Sequence, residues 1–243
     1  MIRYDIRGDA SWLTLDRPEK KNALHLDGWR ALRDGLDRAA EDSRVAVLTG
    51  VEDVFCAGDD IALIDEAETA DDVETLTDCL YDVFFGIESL DIPVIAAVNG
   101  LAYGGGCELV AACDLAVAVE DATFALPETT IGAYPPYAVE RVAETVGKKR
   151  LMELALTGDP IDADRAATWG LVNRVVPAGQ LAETTTQFVE SIANSPRRST
   201  RLTKQYAAVG AADPAARDRI RGAFQQIRAD DECRAATKRF FER

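Results

Sequence analysis

The stretch NGLAYGGGCELVAACD, residues 99–114, places three consecutive glycines and a single carboxylate, Glu108, inside an otherwise apolar run. Glycine lowers the stability of helices and strands, and a buried acid is costly unless other groups compensate its charge. A chain that accepts both costs at one place indicates a functional site there. The same stretch joins two elements of different type, so it also organises the fold on either side.

The residues before it, PVIAAVNG (93–100), have the pattern of a buried strand closed by an Asn-Gly turn. The apolar run after the glycines predicts a helix that begins near Gly105 or Gly106. The first N–H groups of a helix have no intrahelical partner, and they can bind a phosphate or an oxygen that gains negative charge. Close packing of helix on strand also favours glycine, so the glycines alone leave both explanations open.

A second loop, FCAGDDI (55–61), has the same setting, because it follows the buried strand RVAVLTG (44–50) and precedes a helical region. Backbone amides from two such loops can converge on one carbonyl oxygen. A second acid, Glu128, follows downstream in FALPETTIG (124–132). Taken singly, Glu108 fits an acid that complements a helix dipole and Glu128 fits an exposed loop acid. Together with the two loops, they indicate acid–base chemistry.

The remaining pattern predicts an α/β protein. β-β-α units recur through the first half, beginning with IRYDIR (2–7) and ASWLTLDR (10–17), and the chain after Pro136 is mostly helical with a strand at LVNRVVP (171–177). Apolar faces predict further helices at Leu26/Trp29/Leu32/Leu36/Ala39, Val73/Leu76/Leu80/Val83/Ile87, Leu181/Phe188/Ile192 and Ile220/Phe224/Ile227. We expect an α/β core over residues 1–194 and a helical region over residues 195–243.

The charge balance limits the classes of binding partner that the protein can have. Asp and Glu number 42 against 27 Lys and Arg, a formal net charge of −15, and only six of the bases are lysine. Such an acidic, lysine-poor surface resembles proteins that stay dissolved in concentrated salt, and it argues against nucleic-acid binding. Residues 195–243 hold 12 basic and 6 acidic side chains, a net of +6, so residues 1–194 carry −21. The basic segment is expected to dock on the acidic body or to face an anionic ligand.

Several classes of protein are disfavoured by composition. The single histidine, His25, excludes a polyhistidine metal site, and its place at a helix start favours a capping or packing role. The five cysteines form no CxxC pair, which favours reduced thiols over disulfides or zinc. No apolar run is long enough to span a bilayer and no secretory signal is present, so a cytoplasmic protein without membrane partners is expected.

Five blocks in consistent order and spacing resemble one family. They are RPEKKNAL (17–24), FCAGDDI (55–61), IAAVNGLAYGGGCELVAACDLAVA (95–118), FALPETTIG (124–132) and LTGDPIDADRAATWGLVNRVVP (156–177). Together they resemble the crotonase superfamily, specifically enoyl-CoA hydratases, from about Trp12 to Pro177. The resemblance implies a crotonase-like spiral of β-β-α units with a C-terminal helical trimerisation region, in a homotrimer or homohexamer.

The resemblance also implies a catalytic arrangement. The N–H groups of Asp59 and Gly105 form an oxyanion hole for the thioester carbonyl of an enoyl-CoA. Glu108 and Glu128 hold a water between them, one acting as base while water adds to C3, with a proton then delivered to C2. The CoA nucleotide lies along two loops, whose residues are Arg17, Lys20, Lys21, Ala23, Ala57, Gly58, Asp60 and Ile61. No metal is implied, and no cofactor beyond the CoA of the substrate.

Two features depart from the family pattern. Asp59 stands where a small residue is usual, and its carboxylate is unfavourable beside an oxyanion unless it points away. The segment AYPPYAVERV (133–142) replaces a glycine-rich one, and Tyr134 and Tyr137 can reshape the acyl pocket. Three functions follow: hydration of a 2-enoyl-CoA, which both glutamates favour; isomerisation or another reaction through an acyl-CoA enolate; and, least favoured, a non-catalytic acyl-CoA-binding subunit.

Overall fold

A computed structural model of the chain describes residues 1–207 and, beyond them, residues 217–218, 221–222, 225, 229, 231, 234–235, 238 and 242. The helical periodicity at Ile220, Phe224 and Ile227 lies outside the described residues. The strands are β1 Ile2–Arg7, β2 Ala10–Leu15, β3 Val45–Gly50, β4 Val54–Cys56, β5 Val94–Val98, β6 Leu101–Tyr103, β7 Leu115–Val119, β8 Thr123–Ala125, β9 Ile161–Asp162 and β10 Arg174–Val176. The helices are α1 Leu26–Asp42, α2 Ile61–Glu66, α3 Ala70–Ser89, α4 Gly105–Ala112, α5 Ala143–Val146, α6 Lys148–Thr157, α7 Ala163–Trp169, α8 Leu181–Ala193 and α9 Arg197–Ala207.

The strands form two sheets, and every β-β-α unit after the first is divided between them. The larger sheet has the order β1-β2-β3-β5-β7-β10, and the smaller has the order β4-β6-β8-β9. From β3 onward, the first strand of each unit therefore joins the larger sheet and the second joins the smaller. This repeat confirms the units predicted from the sequence. The expectation of a continuous loop over FCAGDDI was wrong at its start, because β4 includes Phe55 and Cys56.

The central strands of the larger sheet are easy to recognise in the sequence because they are buried. All five residues of β5 are buried, and β5 pairs in parallel with both β3 and β7. A parallel strand covered on both faces reads as a continuous apolar run rather than an alternating one. β4, β6 and β8 are only three residues long, too short for either pattern.

The long helices begin at defined caps and bury one face. The Nδ1 atom of His25 accepts a hydrogen bond from the Gly28 N–H (3.2 Å), so the single histidine caps α1, as the sequence indicates. Thr69 and Asp72 form a capping box at the start of α3. α1 and α3 pack together through Trp29 and Phe84, whose rings lie edge to face with centroids 5.3 Å apart. Within the described chain, no helix is both long and apolar enough to cross a bilayer.

The basic C-terminal segment docks on acidic parts of the body where the structure describes it. Lys204 on α9 is buried, with Nζ 2.6 Å from Asp114 and 2.9 Å from the Ile92 carbonyl. Arg201 lies 3.2 Å from Asp91, and Arg217 lies 2.9 Å from Asp82 on α3. These contacts confirm the docking expected from the charge asymmetry. A domain boundary at residue 194 stays a prediction.

Gly106, the last glycine of the triplet, is required by close packing of α4 on β4. A Cβ at this position would lie 2.1 Å from the Cys56 carbonyl oxygen, which belongs to the backbone and cannot move aside as a side chain can. We expect Gly106→Ala to lower the free energy of unfolding by about 2–3 kcal/mol, although alanine normally stabilises a helix. Urea unfolding measures this change as a lower midpoint at unchanged slope.

Gly179→Ala is the matched control, because a Cβ there meets no atom within 4 Å. It should leave the unfolding midpoint within the error of the wild type. Equal stability of the Gly106→Ala and Gly179→Ala proteins would contradict the proposed packing constraint.

Candidate active site

Three neighbouring strands of the smaller sheet deliver the functional residues to one edge. β4, β6 and β8 are adjacent and parallel, so the segments that follow their carboxyl ends lie side by side. The loop with Asp59 follows β4, Gly104 and α4 follow β6, and the turn with Glu128 follows β8. The topology thus brings together residues that are far apart in the sequence.

The backbones of the first two loops approach each other closely. A Cβ at Gly58, where φ is +94°, would lie 2.8 Å from the Gly105 nitrogen, so glycine permits this close approach. The Leu24 N–H donates to the Gly58 carbonyl and the Asp60 N–H donates to the Leu24 carbonyl, both at 2.9 Å. The intervening Asp59 N–H therefore points away from Leu24. Gly105 is the first residue of α4, as predicted, and its N–H has no intrahelical partner.

Glu108 lies in the first turn of α4 and is 1% exposed. Its Oε1 atom accepts a hydrogen bond from the Ala138 N–H at 2.7 Å, which fixes the orientation of the carboxyl group. Burial, and then the neighbouring Glu128 carboxylate, raise the pKa of Glu108 well above its usual value, although the Ala138 N–H opposes the shift. Glu108 therefore holds a proton more tightly than an ordinary acid does.

Glu128 begins the short turn Glu128–Ile131 and is 8% exposed, so it is not an exposed loop acid. Burial raises its pKa to about 8, and the charge of Asp59 adds to the shift. Within the described residues, neither carboxyl oxygen has a hydrogen-bond partner. Its Oε1 atom lies 3.3 Å from the position that a Cβ at Gly104 would occupy, directly beside the glycine loop. Both oxygens are therefore available to a polar ligand.

The side chain of Asp59 does not point away from this region. Its Oδ1 atom accepts a hydrogen bond from Trp29 Nε1 at 2.8 Å, and its Oδ2 atom lies 3.4 Å from the position that a Cβ at Gly105 would occupy. Desolvation raises the pKa of Asp59 to about 6, although hydrogen bonds from Trp29 and from its own N–H oppose the rise. Its negative charge in turn raises the pKa of Glu108 and of Glu128.

The loops expected to hold the CoA nucleotide lie against each other. The Ala57 N–H donates to the Lys21 carbonyl at 3.0 Å, and this contact adds to the pairing of Leu24 with Gly58. Ala23 is buried between the two loops, and Ile61 is partly buried at the start of α2. Sequence reasoning missed Asn22, which is 1% exposed and organises this region. Its amide accepts from the Arg17 N–H (3.0 Å) and donates to the Val54 carbonyl (2.8 Å).

The basic residues of these loops are not equivalent. Arg17 is half-buried, with Nη1 2.8 Å from Asp60 Oδ2 and 3.1 Å from the Ala23 carbonyl. The guanidinium of Arg17 therefore ties the two loops together. Lys20 and Lys21 are exposed, so their charges are free to meet an anion. Of the three bases predicted for CoA, the two lysines are exposed, whereas Arg17 forms an ion pair with Asp60.

The Tyr-Pro-Pro-Tyr segment separates its two tyrosines. The Tyr137 ring is buried against Phe84, with centroids 5.1 Å apart, and its hydroxyl donates to Glu88. Tyr137 therefore points into the core. Tyr134 is half-buried, and burial together with the charge of Glu108 raises its pKa. Tyr134 is thus the tyrosine near the acid pair, while the start of the following π-helical turn, Ala138–Val142, supplies the N–H that orients Glu108.

Among the thiols, that of Cys56 helps to hold the loops: its Sγ atom accepts a hydrogen bond from the Gly58 N–H and donates one to the Asn22 carbonyl, both at 3.3 Å. Cys56, Cys79, Cys107 and Cys113 are free, and Cys233 lies outside the described residues. Burial raises the pKa of Cys56 to about 12, which keeps it in the thiol form. In the part of the chain that the structure describes, no three His, Cys, Asp or Glu side chains are arranged to hold a metal ion.

Comparison with known proteins agrees with the geometry. A sequence profile of the family described as "Enoyl-CoA hydratase/isomerase" matches residues 8–243. The chain belongs to this family. The match confirms the resemblance to the crotonase superfamily and the fold class that it implies, and it makes the chain an enzyme of the hydratase or isomerase type.

Individual relatives show how similar this chain is to known members of the enoyl-CoA hydratase/isomerase family. The chain is 33% identical to "Enoyl-CoA hydratase domain-containing protein 3, mitochondrial" of Danio rerio, over 84% of this chain and 75% of that protein. It is 39% identical to "Enoyl-CoA hydratase, mitochondrial" of Pongo abelii, over 79% of this chain and 67% of that protein. A crystal structure of enoyl-CoA hydratase from Bacillus anthracis has a TM-score of 0.81 at 31% identity, covering 93% of this chain and 90% of that one. A cytoplasmic location and a trimer or hexamer stay predictions.

Proposed function

We propose that this enzyme is an enoyl-CoA hydratase, which adds water across the 2,3 double bond of an enoyl-CoA thioester. One observation carries the proposal: two buried carboxyl groups with raised pKa values, Glu108 and Glu128, lie beside two backbone N–H groups on adjacent loops. Hydration needs both parts, because the N–H groups stabilise an enolate and the acids move the protons of water.

The N–H groups of Asp59 and Gly105 act first, as donors to the thioester oxygen. Polarisation of this carbonyl draws electron density from C3 and makes it open to attack. When the oxygen of water bonds to C3, the electrons of the double bond move toward the thioester oxygen and form an enolate. Two preorganised donors stabilise that negative charge more than they stabilise the neutral substrate.

The two glutamates complete the proton balance. Because each carboxylate disfavours ionisation of the other, the pair retains a proton at a pH where separate acids would both be charged. The ionised member accepts a proton from the attacking water, and the protonated member delivers one to C2. One water is consumed, and the pair again carries one proton at the end. We assign both carboxyl groups to the same water, with Glu108 oriented by the Ala138 N–H and Glu128 placed beside the Gly104 loop.

The CoA part of the substrate is assigned to the paired loops. Lys20 and Lys21 are exposed cations on a body that is otherwise strongly acidic, and they can meet the nucleotide phosphates. Ala57, Gly58, Ala23 and Ile61 line the same two loops, and Arg17 with Asp60 keeps the loops in contact.

Crotonyl-CoA, a short linear substrate of this class, tests the proposal. We expect the wild-type protein to consume it, seen as loss of the conjugated-thioester absorbance in concentrated salt, with 3-hydroxybutyryl-CoA as the product. Incubation with 3-butenoyl-CoA and analysis for crotonyl-CoA separates hydration from isomerisation. Isomerisation without hydration would replace the proposed reaction, and binding of several enoyl-CoA chain lengths without turnover would indicate a non-catalytic acyl-CoA-binding protein.

A further inference from the structure

Asp59 has a carboxyl group that the hydratase mechanism above does not use. The mechanism needs only its backbone N–H, yet its side chain lies inside the same region. Oδ1 is held by Trp29 Nε1 at 2.8 Å, and Trp29 is itself fully buried. Oδ2 lies 3.4 Å from the position that a Cβ at Gly105 would occupy.

We infer that Asp59 is a proton-dependent third member of the oxyanion hole: its protonated carboxyl group donates to the thioester oxygen, and its ionised form closes the hole. The inference rests on the proposed function. It follows from the position of Oδ2, which belongs to one of the two proposed donor residues and lies 3.4 Å from where a Cβ of the other, Gly105, would be. A group in this place is a donor when it carries a proton and a competing acceptor when it does not.

The ionised form opposes substrate binding in two ways. A carboxylate is a stronger acceptor than a thioester oxygen, so it competes with the substrate for the Asp59 N–H. It also places a negative charge where the reaction develops one, and such a like charge disfavours the enolate. The protonated form removes both effects, and it adds one O–H donor to the two N–H donors.

Trp29 makes this arrangement specific. Its indole N–H can only donate, so it occupies one carboxyl oxygen and leaves the proton of a neutral Asp59 on the other. That other oxygen, Oδ2, is the one beside Gly105. The buried indole therefore sets which side of the carboxyl group faces the thioester.

Proton uptake is accessible near neutral pH. Desolvation raises the pKa of Asp59 to about 6 in the free protein, and an acyl group that covers the pocket removes further water and raises it more. Within the described residues, the titratable groups whose pKa values are raised by the charge of Asp59 are Glu108, Glu128, Cys56 and Cys79. The two thiols have pKa values raised to about 12 and about 11, so they do not titrate in this range.

Binding of butyryl-CoA, a saturated thioester that cannot be hydrated, tests the inference by titration calorimetry between pH 5.5 and 8. CoA without an acyl group is the matched ligand, since it has the same titrating phosphates and no thioester oxygen. We expect the affinity ratio of butyryl-CoA to CoA to fall about tenfold per pH unit above pH 6. Near pH 7 butyryl-CoA should take up close to one proton more than CoA does.

Three variants identify the titrating group. Asp59→Asn retains an acceptor for Trp29 and a permanent N–H donor for the thioester, so the ratio should stay high and lose its pH dependence. Trp29→Phe removes a hydrogen bond that stabilises the charged carboxylate, so the fall should move to higher pH. Glu128→Gln should keep a pH-dependent ratio, because Asp59 is intact.

The outcomes separate this inference from the proposed function. Wild-type binding of butyryl-CoA with a ratio independent of pH, or the same slope in Asp59→Asn as in the wild type, overturns the role of Asp59 and leaves the hydratase proposal standing. Absence of binding of either ligand to the wild-type protein overturns both.

Discussion

Glu128→Gln is expected to lower kcat for hydration of crotonyl-CoA by about 10³-fold or more, with KM changed only a few-fold. Glutamine has the size of glutamate but neither accepts nor delivers a proton, and a positioned acid or base contributes about 10²–10⁴ to a rate. Because Glu128 is buried and its carboxyl oxygens have no partner within the described residues, the amide should fit without breaking a hydrogen bond. Steady-state kinetics in concentrated salt measure the effect.

Glu108→Gln should give a loss of similar size, for the same reason. Its Oε1 atom accepts from the Ala138 N–H, and the amide oxygen of glutamine can retain this contact. The double variant should be little slower than the worse single variant, because residues that act as one unit are strongly non-additive. Losses that multiply in the double variant would mean that the two acids work in separate steps.

Glu190→Gln is the control for charge removal, since Glu190 is exposed on α8. Its kcat should equal that of the wild type. If Glu128→Gln were as active as Glu190→Gln, the paired-acid mechanism would be wrong.

The general fold could be predicted from the sequence because its main signals are local. A five-residue apolar strand such as β5, or the apolar face of α1, can be recognised from one short window of sequence. β4, β6 and β8 could not be predicted in this way, because a strand of three residues shows no hydrophobic periodicity. These short strands nevertheless decide the site, because their parallel pairing brings its loops to one edge.

The sequence predicted the residues of the candidate site but not the side-chain contacts between them. Glycines and acids in ordered blocks pointed to Gly105, Glu108 and Glu128, and the structure brings them together. The contact of Asp59 with Trp29 joins a loop residue to a buried residue of α1, and neither residue type predicts such a contact. The engagement of Arg17 with Asp60 is of the same kind, because a loop arginine looks equally suited to a phosphate or to an ion pair.

The buried acid pair also lowers the free energy of unfolding as pH rises, and stability measurements can detect this loss. An acid whose pKa is higher in the folded than in the unfolded state stabilises the fold below its unfolded pKa and loses that contribution as pH rises toward the folded value. For Glu128 the two values are 4.5, the usual one, and about 8. The wild-type free energy of unfolding should therefore fall across this interval as the unfolded chain ionises and the folded protein resists doing so.

Glu128→Gln should remove the contribution of Glu128 to this dependence, leaving those of Asp59 and Glu108, and become more stable than the wild type as pH rises. The two proteins should have similar stability near pH 4.5, and the variant should lead by on the order of 4 kcal/mol at pH 8, because each pKa unit is worth about 1.4 kcal/mol and the folded group is half ionised at pH 8. Urea unfolding at constant high salt measures both curves, with Glu190→Gln expected to follow the wild type. The variant that loses catalysis is thus the one that gains stability, as expected where a fold holds buried acids for chemistry. A constant difference between pH 4.5 and pH 8 would show that the burial of Glu128 does not shift its ionisation.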